Sequence, residues 1–274
     1  SIGVVFEPRF LPDAMGSFIF TADKWRIEQE KIVGLFGGAS AVAQDYLDRV
    51  QGRSNPLVTR AAPNADDIAL FAGTGIAPVG QIISVSDRFI NLLPQQVEGI
   101  DLGLIWRLRD TPIGNFRLTL NASKLTKFGR EPGEAIDALF AARAAGTINA
   151  ATPLPESSDL LGRNGRPEWR GSASLIWSKG PYQIGAFTQY ISAVDETGFV
   201  DALGNSWEVD SQLTGNLYFE YEWKKNAGWA SNSAIRVGAR NITNEQPPLT
   251  STGFLGSLYR PYGRYWYVNL SKSF

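Results

Sequence analysis

Apolar and polar side chains alternate along most of this chain. In the last stretch Trp266, Val268, Leu270 and Phe274 fall on one side of an extended backbone, with Lys272 in the same phase, while Tyr265, Tyr267, Asn269, Ser271 and Ser273 fall on the other. A strand points successive side chains to opposite faces, so a period of two predicts an amphipathic strand. The same period recurs upstream. Gly215, Leu217, Phe219, Tyr221 and Trp223 oppose Asn216, Tyr218, Glu220 and Glu222; Trp169, Ala173, Leu175 and Trp177 oppose Arg170, Ser172 and Ser174. Phe116, Leu118, Leu120 and Ala122 oppose Arg117, Thr119, Asn121 and Ser123, and Ile235, Val237 and Ala239 oppose Arg236, Gly238 and Arg240. Ile100, Leu102, Leu104, Trp106 and Leu108 oppose Asp101, Gly103 and Arg107, with Ile105 out of phase. Ile2–Phe6 reads as a strand, and so does Phe18–Ile27, although its alternation slips near Asp23.

The polar faces carry charges and amides, which suits the lumen of a transmembrane barrel. The apolar faces often end in Trp or Tyr, as an interfacial girdle requires. The plainer alternative is a soluble antiparallel sheet with one wet face. Connections sort into short (Arg109–Gly114, Lys179–Pro181, Lys224–Asn232) and long (Gly34–Asp87, Gly129–Pro167, Asp195–Ser206, Thr243–Tyr259), and the two kinds alternate. Up-and-down strands with turns at one rim and loops at the other give this pattern. The expected fold is therefore all-β: an antiparallel up-and-down transmembrane β-barrel, here an incomplete C-terminal part of about nine strands with long extracellular loops. Nine is odd, and a single-chain bacterial barrel has an even number, so partner strands are expected from an N-terminal portion outside residues 1–274. Two connections stand out: Ala135–Ala145 could form a short helix, over the channel mouth or simply on the surface, and Gly34–Val79 is long enough to be functional or mobile.

Composition narrows the chemistry. The 274 residues carry a formal net charge of −1, with no basic run, so nucleic acid is not an expected partner. Cys and His are both absent, which closes the thiol, Ser–His–Asp and zinc-hydrolase routes. No run of about 18 apolar residues offers a transmembrane helix, which a barrel does not need. The pairs Glu208/Asp210 and Glu220/Glu222 could place two carboxylates on one strand face at glycosidase-like spacing, but adjacent acids on a wet face are common. Asp195–Ser206 offers oxygen ligands without EF-hand spacing and reads as a polar loop. The expectation is a non-enzyme with no cofactor and no metal. The chain opens on Ser1, with no signal peptide, which reads as a processed chain or a fragment, the fragment being preferred.

Several segments resemble the C-terminal half of a TonB-dependent outer-membrane receptor. Gly3–Pro8 (GVVFEP) with Phe20–Ile27 (FTADKWRI) looks like a paired strand unit of that family. Asn91 followed by Gly99–Leu102 (GIDL), Val237–Pro248 (VGARNITNEQPP) and Gly263–Phe274 (GRYWYVNLSKSF) resemble its later strands, in the right order. The resemblance implies a barrel of about 22 strands with a plugged lumen in the bacterial outer membrane. It implies import of a scarce nutrient such as an iron–siderophore, an oligosaccharide or cobalamin, energised by a TonB-type inner-membrane protein acting through the missing plug. It also implies that Phe274 is read by the barrel-assembly machinery.

Trp266, Val268, Leu270 and Phe274 are then expected to face outer-membrane lipid. A small-molecule ligand is expected near the extracellular end, touched by lumen-phase or loop residues. Glu168 and Arg170 stand at the top of one descending strand, and Glu208 and Asp210 at the top of another. Asp195 and Glu196 lie in the loop before it, and Phe254, Tyr259 and Arg260 in the last loop. Aromatic loop residues could stack on a sugar or a catecholate. The rival functions are a passive porin-like channel and a soluble β-rich carbohydrate-binding module.

Overall fold

The structure, a computed structural model, describes all residues except 31, 36, 88, 93, 131–133, 151, 153, 155–157, 201–204, 224–226 and 274. Phe274 thus lies outside the described residues. Nine strands follow one another in space as in sequence: β1 (Ile2–Phe6), β2 (Ser17–Gln29), β3 (Gln95–Thr111), β4 (Gly114–Arg130), β5 (Trp169–Lys179), β6 (Tyr182–Ile191), β7 (Gln212–Glu222), β8 (Ser233–Arg240) and β9 (Tyr265–Lys272). This is an antiparallel up-and-down sheet. Among the described residues, β1 and β9 each pair on one side only. β3 and β4 run well past the alternating segments that announced them, since backbone pairing continues where the side-chain pattern turns polar. The chain divides into two units, one holding the body of this sheet (Ser1–Ile27, Val97–Phe128, Leu161–Phe274) and one holding Glu28–Gln96 with Gly129–Leu160.

Register turns the sequence pattern into rows. Directly opposed residues share a face, so Val268, Val237, Phe219, Ile184, Trp177 and Phe116 form one line across six strands. Trp266, Ala239, Leu217, Ala186, Leu175 and Leu118 form the next. On this face Leu175, Leu217 and Phe219 of interior strands are 43%, 42% and 43% exposed, more than residues of a water-soluble core would be. At the short-turn rim the rings of Phe18, Trp106 and Phe116 adjoin one another, as do those of Tyr182, Phe219, Tyr221 and Trp223. At the long-connection rim Trp169, Tyr190 and Trp266 are exposed on the same face. Trp177 and Trp169 stand eight positions apart on β5. That is about 26 Å along the strand, or about 20 Å of height at a tilt near 40°, the scale of an outer-membrane apolar band.

The opposite face is polar and just as regular. Asn269, Arg236, Glu220, Gln183, Ser178 and Asn115 form one row. Within it the Arg236 guanidinium lies 2.7 Å from the Glu220 carboxylate and over the Tyr218 ring. Tyr218 and Tyr267 lie flat across Gly185 and Gly238 of neighbouring strands, where a Cβ would overlap the ring. An aromatic ring thus covers the backbone that a glycine leaves bare.

Three of the four short turns are held by a side chain of the strand that follows the hairpin. The Trp106 indole on β3 donates to the Met15 carbonyl between β1 and β2 (2.8 Å). From β5, Trp177 and Lys179 donate to Ile113 and Pro112 between β3 and β4 (2.8 Å each). From β9, Lys272 donates to the Trp229 carbonyl between β7 and β8.

The second unit has a small core of its own. It carries helices α1 (Gly38–Val50), α2 (Ala65–Phe71) and α3 (Glu134–Ala144), with the short strand pairs Ile32–Leu35/Phe89–Leu92 and Val58–Arg60/Ile82–Val85. Leu139 of α3 is fully buried against Ala43 and Leu47 of α1 and Ile148. The short helix expected at Ala135–Ala145 forms as α3 and buries Leu139 in this core, and the long Gly34–Val79 connection carries α1, α2 and Val58–Arg60. Asp45 on α1 is wholly buried and accepts hydrogen bonds from Arg49 Nε (3.0 Å), Arg60 Nε (3.0 Å) and the Asn55 amide (3.2 Å). Burial would push its carboxyl up, but the hydrogen bonds from Arg49, Asn55 and Arg60 outweigh it and hold the group below the usual carboxylate range. An Asn64 capping box with Asp67 starts α2.

Candidate ligand site on the polar face

At the long-connection end of β6 to β9, a cavity of about 690 Å³ opens on the polar face. Its floor is the upper polar rows, including Gln189, Gln212, Thr214, Asn216 and Arg240. Its roof is the last loop, with Tyr259, Arg260 and Tyr262. Arg240 and Arg260 line it, and no Asp or Glu is among the lining residues. The Arg240 guanidinium lies 5.8 Å from the Tyr265 and Tyr267 rings, which shelter its face and leave its N–H edge for an acceptor.

Local chemistry fixes the roof. Asn241 follows β8 in a left-handed conformation (φ 49°), which Asn tolerates better than most residues. Its side-chain amide receives the Glu245 N–H (2.8 Å) and donates to the Glu245 and Tyr262 carbonyls (2.8 and 3.2 Å). Its own N–H donates to Asn216 Oδ1 (2.9 Å). Asn244, also left-handed (φ 57°), accepts the Arg264 N–H (2.9 Å). The Arg-Asn-x-x-Asn segment therefore clips both ends of the last loop to the wall. Neither Asn stood out as a functional residue in the sequence. The signal was the motif itself, read for family likeness rather than for turn chemistry.

Tyr259 is 2% exposed and packs with Ile191, Val194 and Val209, flanked by Leu255 and Leu258. Its hydroxyl has no hydrogen-bond partner among the described residues. Burial raises its pKa; Arg170 acts against that and Asp210 adds to it, so both charges lie close to the phenol. An unmet buried hydroxyl costs about 1–3 kcal/mol.

Of the expected contacts, Tyr259 and Arg260 line this cavity; Arg170 and Asp210 act on the Tyr259 phenol without lining it, and the others are dispersed. Residues from Val194 form a two-stranded ribbon (Val194–Val200 with Ser206–Val209) instead of an irregular polar loop. Glu208 sits on that ribbon, opposite Asp195, and Asp210 lies in the link before β7. The pair does not crown one descending strand, because β7 begins only at Gln212; Val209 turns into the small core beside Tyr259. Glu196 is engaged by Ser251, whose N–H and Oγ donate to its carboxylate at 2.8 and 2.9 Å. Asn164 clasps Thr197 from a neighbouring loop by two hydrogen bonds, at 2.7 and 3.0 Å. Trp207 donates to the Leu249 carbonyl (3.0 Å). Asp195 and Glu196 thus lace loops together. The Glu168 carbonyl receives the Leu125 N–H, and Phe254 is 40% exposed beside Gly256; neither lines the cavity. Among the described residues no cluster of three or more acidic side chains could hold a metal ion.

No family model matches the sequence, and no curated protein matches it. Solved structures do match. A single-site variant of the ferric enterobactin receptor from Pseudomonas aeruginosa aligns over 99% of this chain and 30% of its own, with a TM-score of 0.53 and 12% identity. The siderophore receptor PirA from Acinetobacter baumannii aligns over 99% of this chain and 31% of its own, with a TM-score of 0.54 and 12% identity. The chain therefore spans about a third of the length of these receptors. At this identity the likeness shows the fold: an antiparallel wall of the kind found in receptor barrels.

Proposed function

We propose that this chain supplies barrel wall and ligand-recognition loops to a TonB-dependent importer in the bacterial outer membrane. The observation that carries the reading is the register: uninterrupted apolar rows on the exposed face, and polar rows with a built cavity on the other. Water would penalise the first arrangement and lipid rewards it. The two one-sided edges, β1 and β9, are completed in this reading by strands from outside residues 1–274. A plug and its TonB-type partner belong to that remainder, as does recognition of Phe274 by the assembly machinery.

The ligand that fits the cavity is a small, oxygen-rich anion. Arg240 and Arg260 supply charge, Gln189, Gln212 and Asn216 supply amides, and Tyr259 supplies an unmet hydroxyl. An iron–siderophore has that chemistry, and siderophores are what the receptors of like fold are named for. The test is ligand titration of the protein in detergent, followed by quenching of tryptophan emission. A ferric catecholate or hydroxamate should bind, and Arg240→Ala should weaken it about tenfold or more. Equal binding of a neutral oligosaccharide, insensitive to Arg240→Ala, would move the assignment to sugar import. Ion conductance with no ligand binding would favour a porin.

A further inference from the structure

The sequence showed a phase slip in β2 that the importer reading leaves unused. The structure shows no bulge there: β1 and β2 pair without a break from Phe6↔Phe20 to Ile2↔Lys24. The strand is regular, and it is the outward face that changes character. Phe18, Phe20 and Ala22 are followed on that face by Lys24 and Arg26, while Trp25 turns to the polar side and covers Gly99.

A second lysine stands at the same level. Gly99 packs against both the Trp25 ring and the Lys124 carbonyl, which aligns Lys24, Ile100 and Lys124 across β2, β3 and β4. Lys124 lies opposite Trp169, with its ammonium 5.1 Å from the indole centre. Arg26 is offset by Glu98 at 3.8 Å, so the two lysines carry the local positive charge. Below them lies an apolar groove of about 470 Å³. Its lining includes the small side chains Ala22 and Ala122 on either side of Leu102, with Phe20, Leu104 and Leu120 in the next row.

We propose that this groove is a site for one phosphate-bearing membrane lipid. An acyl chain lies against Ala22, Leu102 and Ala122, and the phosphate sits between Lys24 and Lys124. The proposal rests on the outward face being a membrane wall. Charge complementarity selects the occupant. A cation on a lipid-facing strand costs about 2–4 kcal/mol at mid-membrane and almost nothing at the interface, so the lysines mark the headgroup level. There each lysine attracts acidic lipid about fivefold, and two together on the order of thirty-fold.

Native mass spectrometry of the protein in detergent, titrated with phosphatidylglycerol or phosphatidylcholine, reads this directly. Phosphatidylglycerol should be retained on the order of thirty-fold more strongly. Lys24→Gln with Lys124→Gln should abolish the preference, Lys24→Arg with Lys124→Arg should keep it, and Ala22→Leu with Ala122→Leu should weaken retention of both lipids. Equal retention of the two lipids, or a preference that survives the glutamine pair, overturns the proposal. Displacement of the lipid by millimolar inorganic phosphate overturns it in favour of a phosphate site. If the protein enters bilayers of neither composition, the wall reading falls and this site with it; insertion without lipid preference sinks the site alone.

Discussion

In the helical unit Leu139 and Leu47 are buried against Ala43 and Ile148, and a buried carboxylate, Asp45, ties α1 to Asn55 and Arg60. In the sheet the large apolar side chains stand on the outward face, and arginine, glutamate and amides line the inward one. The first region satisfies water outside and hydrocarbon within. The second places its apolar side chains outward, and its polar face is held by register, ion pairs and rings laid over glycines. One chain thus contains two solutions to hiding apolar surface, and substitutions should sort between them.

The largest effect is expected at Asp45. Asp45→Ala leaves Arg49 and Arg60 without their shared acceptor and should destabilise the helical unit by about 3–5 kcal/mol. Hydrogen exchange should rise in α1 and α3 and stay low in β6 to β8; a rise in both regions would erase the distinction. The same group sets a pH dependence. Its folded-state pKa is depressed, so its contribution is present above the ordinary carboxylate pKa and is lost as pH falls through the lowered value. Amide exchange in α1 followed through that range should show the loss, and the sheet should not follow it.

Next comes Leu217→Arg, in the middle of an outward row. It should cost about 2–4 kcal/mol of bilayer stability, read by urea titration in lipid vesicles. An unchanged midpoint would count against a lipid-facing wall. Gly185→Val drives a side chain into the Tyr218 ring and should cost about 1–3 kcal/mol by the same measurement. The smallest effect, and the most discriminating, is Tyr259→Phe. It removes an unmet hydroxyl, so stability should hold or rise by about 1 kcal/mol while ligand affinity falls several-fold. Unchanged affinity would remove Tyr259 from the site.

The wall was legible because period-two alternation survives wherever the two faces meet different surroundings. Its strand ends were less so: at Lys24 and Lys124 the outward face is itself cationic, and alternation of apolar with polar stops reporting direction. The helical unit was hidden for another reason. Its core rests on alanines and a few leucines from distant segments, and Asp45 meets Asn55 and Arg60 only after the chain folds. Of the candidate site, the last-loop residues Tyr259 and Arg260 were visible. Gln189, Asn216 and Arg240 were not, since each looks like ordinary lumen lining until register places them around one cavity.

The side chains that hold the short turns have a consequence in time. Trp106, Trp177, Lys179 and Lys272 each secure a hairpin from the next strand along, so a hairpin stays open to fraying until its successor docks. Growth of the sheet then proceeds like a ratchet with a direction, each new strand closing the step before it. Pulse-labelled exchange during folding should show protection at the Met15 turn appearing with β3. The β7–β8 turn is held by Lys272 and by the Ser273 N–H, which donates to the Asn232 carbonyl (3.0 Å), so the final strand secures the last hairpin as well as the edge it occupies.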